Sequence, residues 1–327
     1  MTIAWLFPGQ GSQAVGMARD VLEASAAARA VFERADAALA GLPTAPTPLS
    51  RLILEGPEEG LTLTANAQPA LVATSAALLA ALRERFADMP APAFAAGHSL
   101  GEYSALVAAD ALSLDDAVRL VHLRGRAMQE AVPPGVGAMS AVMGVAADRL
   151  LVLCEEAAQG EIVAPANFNA PGQIVVAGHA GAVARLGALA SDEKGSRVIP
   201  LKVSAPFHCA LMAPAARALA GELARVPIAA PRVPVVANVD AAPNSDPARV
   251  KDLLIRQIDG PVRWEETVRL LASRGVTHAL EIGPGKVLAG LAKRIAKALD
   301  VELKVMSVGD SASLDAAAPF LAEAIVP

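Results

Sequence analysis

Apolar positions in this chain follow two periods. Short β-rich runs bounded by turn residues stand at 2–7 (TIAWLF), 93–97 (AFAAG), 233–238 (VPVVAN) and 278–283 (HALEIG), and they predict core strands. Between them, apolar residues recur three and four apart, the spacing of helices. Turn-rich segments at 41–48, 89–92, 131–137, 226–234 and 241–247 punctuate the series. This alternation predicts an α/β fold with a mostly parallel sheet. One stretch has another order. It reads as strand 137–145, helix 147–157, strand 162–168, a tight Ala-Pro-Gly turn, strand 173–178, helix 181–194 and a closing strand 197–203. That β-α-β-β-α-β order is the pattern of a ferredoxin-like unit, and the Pro-Pro-Gly just before it reads as a boundary. The expected organisation is a large unit from 1–131 and 204–327, with a small ferredoxin-like unit, 132–203, inserted.

One polar residue interrupts the helical pattern. Ser113-Leu-Asp-Asp116 reads as a capping box that opens a helix. Its apolar stripe runs Leu114, Ala117, Val121 and Met128, and Arg124 falls on the same stripe. A guanidinium there is costly unless paired, and its planar fork suits a carboxylate. From the pattern alone two readings stand: a buried structural ion pair, or a clamp for a carboxylate carried by a substrate.

A second feature carries chemistry. Gly97-His98-Ser99-Leu100-Gly101 is G-x-S-x-G between a short apolar run and a helical one. In that context the motif is a nucleophile elbow: a tight turn presents the Ser99 hydroxyl at a helix N-terminus, where the Leu100 N–H can donate to an oxyanion. The plainer alternative is a Gly/Ser turn that caps a helix. A second oxyanion donor is expected from the Phe7–Gln13 loop (FPGQGSQ), which follows the first strand and offers Gln10; an ordinary βα loop has the same look. A serine nucleophile needs a base. Of the five histidines, His208 lies where an apolar strand gives way to a Pro-containing loop, a suitable place for one. His98 is expected to pack beside the elbow, His122 and His179 to sit in polar surroundings, and His278 to begin a strand.

Composition narrows the classes. The 327 residues suffice for a large core, and the mean hydropathy of +0.43 comes from Ala, Val and Leu spread along the chain. No run of about 18 apolar residues appears, so no membrane span is expected, and the first residues lack the basic region of an export signal. Two cysteines, Cys154 and Cys209, cannot build a disulfide framework or a zinc site, which fits a cytoplasmic protein. A net charge of −5 with 3% aromatic residues argues against nucleic-acid binding.

Taken together, the segments resemble the malonyl-CoA:acyl-carrier-protein transacylases of fatty acid and polyketide synthesis over essentially the whole chain. The resemblance rests on 7–13, 97–109, 118–131 (VRLVHLRGRAMQEA), 166–178 (ANFNAPGQIVVAG), 204–212 (SAPFHCALM), 254–264 (LIRQIDGPVRW) and 281–288 (EIGPGKVL), in that order. It implies an α/β-hydrolase-like large subdomain with a ferredoxin-like insertion. It implies Ser99 as the acylated nucleophile, His208 as its base and then its acid, and Arg124 as the holder of the malonyl carboxylate. Gln10 and Leu100 would supply the oxyanion N–H groups, and the Gln257 backbone carbonyl would orient His208 in place of a triad carboxylate. Phe207, beside the acyl group, would favour malonyl over methylmalonyl. Malonyl-CoA and the phosphopantetheine thiol of an acyl carrier protein are the implied partners, with no metal or redox cofactor, and a monomer is expected. A basic cluster, Lys286, Lys293, Arg294 and Lys297, with Arg124 and Arg126 also present, is a candidate carrier-docking surface or simply a solvated helix face. Two other readings stand: a serine hydrolase or thioesterase, which shares the elbow but has no use for an arginine clamp, and a catalytically silent structural or docking subunit of a larger synthase.

Overall fold

A computed structural model describes residues 2–42, 44–46, 48–203 and 205–325. Pro43 and Thr47 of the 41–48 segment and Ser204 at the head of the 204–212 motif lie outside the described residues. Ten strands are present among them: β1 Thr2–Phe7, β2 Phe94–Gly97, β3 Gly137–Met143, β4 Val163–Ala170, β5 Gln173–His179, β6 Arg197–Pro200, β7 Val235–Val236, β8 Pro243–Asn244, β9 Val276–Ile282 and β10 Lys304–Val308. They form two sheets. A six-stranded sheet runs β10-β9-β1-β2-β7-β8, parallel except at the β7–β8 edge. The protein is thus an α/β fold with a mixed sheet.

Strand β1 lies in the middle of that sheet and is buried on both faces, as a parallel strand between helical layers must be. Its alternation divides the core. Ile3, Trp5 and Phe7 join the cluster under the helices Ala26–Leu39, Thr64–Arg85 and Leu114–Glu130, whereas Ala4 and Leu6 face the helices Trp264–Ser273 and Val287–Leu299. The 22-residue helix Thr64–Arg85 is long and apolar enough to cross a membrane, a feature the absence of an unbroken apolar run concealed. Most of it is buried inside the protein, so its apolar surface already has a core to fill.

The four-stranded sheet is antiparallel, with order β4-β5-β3-β6 and helices Ala147–Ala158 and Ala180–Ser191. Its elements follow the β-α-β-β-α-β order read from the sequence. Successive residues of β5 face opposite ways: Ile174 and Val176 pack with Leu150, Leu153 and Leu186 in a separate core, while Val175 and Ala177 join the large one. Strand β4 is tied to the rest of the protein by backbone bonds: Phe168 N–H donates to Val262 O (2.9 Å) and Val262 N–H to Ala166 O (2.8 Å).

Several boundaries differ from those the pattern predicts. The 233–238 strand shrinks to β7 because Ala237 N–H turns back to Ala242 O and Asn238 N–H goes to the Glu102 side chain. The closing strand stops at Pro200, and β9 begins at Val276, two residues before His278. Strands β8 and β10 had no sequence counterpart.

Candidate active site

The elbow is built at the C-terminal end of β2, against the end of β1. A Cβ on Gly97 would lie 2.0 Å from the carbonyl of Gly101, and one on Gly101 would lie 2.1 Å from Phe7 O, so only glycine fits at either position. Between them Ser99 has φ +53, a left-handed conformation that a serine holds only under constraint. The constraint is visible. Asn238 accepts from Ser99 N–H (2.6 Å) and donates to Gly97 O (2.7 Å), closing the turn from just beyond β7, which neighbours β2 in the sheet.

Helix Gly101–Ala108 starts immediately after Leu100. The positive end of its dipole lies toward Ser99, while the N–H groups of Gly101, Glu102 and Tyr103 donate to His98 O, Ser99 O and Leu100 O. Among the described residues, the backbone N–H groups of Leu100 and Gln10 have no protein acceptor. Gln10 is held in the loop after β1, its side chain donating to Thr64 Oγ1 (3.2 Å).

His208 comes to the same point from the 205–212 loop, with φ +59. Its Nε2 is 2.7 Å from Ser99 Oγ, and its Nδ1 is 2.8 Å from Gln257 O. A carbonyl only accepts, so Nδ1 carries the proton and Nε2 offers its lone pair to the serine hydroxyl. The carbonyl is available for a local reason. Gln257 lies in the last turn of helix Pro247–Asp259, and the residue four further on is Pro261, which has no N–H to return. Burial, followed by the nearby Arg124 charge, lowers the His208 pKa to about 3, so the ring is neutral at pH 7.

Arg124 is 1% exposed on helix Leu114–Glu130, which Ser113 caps by accepting from Asp116 N–H. Its Nη1 donates to Gln68 Oε1 (2.7 Å), and its Nη2 to Gln257 Oε1 (2.8 Å) and to Ser99 Oγ (3.1 Å). The guanidinium lies 5.6 Å from the Tyr103 ring centroid. Among the described residues it forms no ion pair, and its buried Nε–H has no acceptor. The structural ion pair admitted by the sequence is therefore not what occupies this position. Burial lowers the Arg124 pKa from its ordinary value, and Tyr103 and Glu102 oppose that shift. A buried cation with an unused donor beside the Ser99 hydroxyl has the chemistry to receive an anion.

These side chains line a cleft of about 230 Å³ with Met128, Met139, Asn167, Leu201, Lys202 and Phe207, so the small sheet and the segment after β6 supply one wall. Phe207, adjacent to the base, is 9% exposed. The structure thus brings Ser99, Leu100, Gln10, Arg124, Phe207, His208 and Gln257 together. It corrects two lesser expectations, for His122 and Arg124, while His98 packs beside the elbow as expected. His122 is fully buried, its ring between Thr44 Oγ1 (3.1 Å) and Ala65 O (2.8 Å), because its helix face turns inward. His98 is fixed to Asn169 Oδ1 (2.8 Å) and tilted against Trp264. Arg124 is too deep to join a basic docking surface; Lys286, Lys293, Arg294 and Lys297 remain exposed.

Four residues of the site had no sequence signal of their own: Gln68, Asn238, Asn169 and Glu102. Glu102 is 3% exposed, and its Oε2 accepts from Asn238 N–H (2.9 Å) and Gln257 Nε2 (2.7 Å). Burial raises its pKa to about 7 against the pull of those bonds. Its place three residues after the nucleophile, inside an apolar helix start, was the one available hint.

Comparison with known proteins gives a consistent result. The family described as "Acyl transferase domain" matches residues 4–312. A malonyl CoA-acyl carrier protein transacylase of Salmonella typhimurium is 47% identical over 314 residues, covering 96% of this chain and 98% of that relative. The crystal structure of an acyl-carrier-protein S-malonyltransferase from Bartonella henselae superposes with a TM-score of 0.92 at 46% identity, covering 98% of this chain and 100% of that one. A malonyl-transacylase solved in complex with its type II PKS acyl-carrier protein gives a TM-score of 0.90 at 45% identity, with 97% and 99% covered.

Proposed function

This chain belongs to the acyl transferase domain family, and from that premise we propose that Ser99 carries a malonyl group between two thiols. The activity is the transfer of malonyl from malonyl-CoA to an acyl carrier protein. In the first half-reaction the Ser99 hydroxyl gives its proton to His208 Nε2 as Oγ attacks the thioester carbonyl. The C–S bond then breaks, and the CoA sulfur leaves with the proton from His208. In the second half, the pantetheine thiol of the carrier gives its proton to His208 and attacks the ester. The C–Oγ bond breaks, and Ser99 recovers the proton. Atoms and charges balance with these groups alone, so the reaction needs no metal or redox cofactor.

Other groups act on the developing charge. The N–H groups of Leu100 and Gln10 receive the carbonyl oxygen as it becomes anionic. Arg124 pairs with the malonyl carboxylate and holds the acyl group still. That pairing also neutralises the field that contributes to lowering the His208 pKa, so a carboxylated substrate strengthens its own base. Phe207 crowds the α-carbon and disfavours a methyl branch.

The same reading extends to the finer architecture. An α/β-hydrolase-like large subdomain, 1–131 and 204–327, carries the reacting groups, and a ferredoxin-like subdomain, 132–203, walls the cleft. The exposed basic face of helix Val287–Leu299 is the candidate carrier surface, and we place a monomeric enzyme in the cytoplasm.

The observation that carries the proposal is the unpaired, buried Arg124 within hydrogen-bond reach of Ser99 Oγ, itself 2.7 Å from the neutral His208. Intact-mass measurement after mixing with malonyl-CoA tests it. A malonyl adduct that maps to Ser99 and disappears on addition of holo carrier protein is the expected result. Rapid free malonate without carrier would assign a hydrolase, and the absence of any adduct would assign a silent subunit.

A further inference from the structure

The amide of Gln257 stands between the Arg124 guanidinium and the buried Glu102 carboxyl group. Its Nε2 donates to Glu102 Oε2 (2.7 Å) and to Ser99 O (2.9 Å), while its Oε1 accepts from Arg124 Nη2 (2.8 Å). When ionised, Glu102 decides which way this amide faces, because the NH2 end must meet the anion and the oxygen the cation. Turned over, the amide would set its NH2 against a guanidinium N–H and its oxygen against a carboxylate. Glu102 itself cannot drift: it is anchored by Asn238 N–H, whose side chain closes the elbow. On its other side Arg124 is held by Gln68 Oε1 (2.7 Å), which is neutral. The direction in which Arg124 presents its donors therefore depends on a carboxyl group it does not touch.

We propose that Glu102 is a positioning residue which, through the Gln257 amide, aims Arg124 at the substrate carboxylate and so sets the preference for carboxylated over plain acyl groups. The proposal rests on Arg124 being the carboxylate clamp. A purely structural Glu102 would support the elbow for every acyl group alike. A positioning Glu102 acts on the malonyl-to-acetyl ratio.

The test compares kcat/KM for malonyl-CoA and acetyl-CoA loading in Glu102→Gln, Gln257→Leu, the double variant and Arg124→Ala. Gln257→Leu removes the amide but keeps the backbone carbonyl on His208, and fluorophosphonate labelling of Ser99 reports a correctly formed elbow in each. Glu102→Gln should lower the malonyl-to-acetyl ratio about tenfold, the scale of one charge-assisted hydrogen bond. Gln257→Leu should do the same, and the double variant should be no worse than Gln257→Leu alone. If Glu102→Gln does not fold, Gln257→Leu carries the test. Equal losses for the two substrates in the single variants, or effects that multiply in the double, overturn the proposal. A ratio untouched by Arg124→Ala overturns the clamp as well. A ratio that collapses in Arg124→Ala but holds in the other two overturns Glu102's role alone.

Discussion

The six-stranded sheet ends at groups held against their preferences, whereas the four-stranded sheet ends at groups at rest. At the first, Ser99 and His208 adopt left-handed backbone conformations, Arg124 has no counter-ion among the described residues and Glu102 is a buried acid. At the second, the left-handed non-glycine residue among those described, Gln159, closes a helix, and the buried polar residues are Ser140 and Asn167. Both sheets line the same cleft. The difference teaches that reactivity and enclosure have been given to separate structures. A parallel sheet gathers loop ends from distant segments at one edge, where they can be forced together. An antiparallel sheet satisfies its own backbone and provides a wall.

The sharpest way to break this contrast is to crowd the backbone under the nucleophile. Gly101→Ala would place a methyl against Phe7 O and push the elbow off β1. We expect loading, followed by malonyl adduct mass, to fall by at least about 10³-fold, as when nucleophile and oxyanion donors lose register. Arg124→Ala comes next. Malonyl loading should fall about 10²- to 10³-fold, in line with loss of a buried charge-assisted contact, while acetyl loading persists. Competition between the two thioesters measures it, and undiminished malonyl preference would end the clamp reading.

The same variant makes a pH prediction. Burial and then Arg124 lower the His208 pKa, so removing the arginine must raise it. Because the base works only when neutral, activity is lost as pH falls through that pKa. The acid limb of acetyl loading should therefore shift to higher pH in Arg124→Ala; an unmoved or lower limb would contradict the coupling.

Smaller effects are expected away from the charges. Phe207→Ala should improve methylmalonyl relative to malonyl loading by up to about tenfold, within the 1–3 kcal/mol that one methyl commands. Leu186→Ala, in the separate core of the small unit, should cost about 2–5 kcal/mol of stability by thermal or urea unfolding. Its loading rate per folded molecule should hardly change. A large kinetic effect there would show the wall to be part of the machine.

The sequence made the small unit legible because each of its turns and strands is decided locally. It also exposed Ser99, Arg124 and His208, since each breaks or completes a local pattern. Gln68, Asn238, Asn169 and Glu102 stayed hidden for the opposite reason. A neutral amide or a lone carboxylate in an ordinary helix or loop looks like any other until the chain's topology sets it against its partner. Strand β7 was overread because Asn238 spends its backbone N–H on Glu102 rather than on a neighbouring strand.

The group that orients His208 is a carbonyl of the main chain, freed by a helix ending before a proline. Every amino acid carries that oxygen. A single-codon change at position 257 can alter the amide and whatever it steers, but it cannot delete the atom that fixes the imidazole tautomer. Heredity therefore guards the two halves of this residue differently: the side chain is open to drift and selection, while the carbonyl is lost only if the helix itself ends elsewhere.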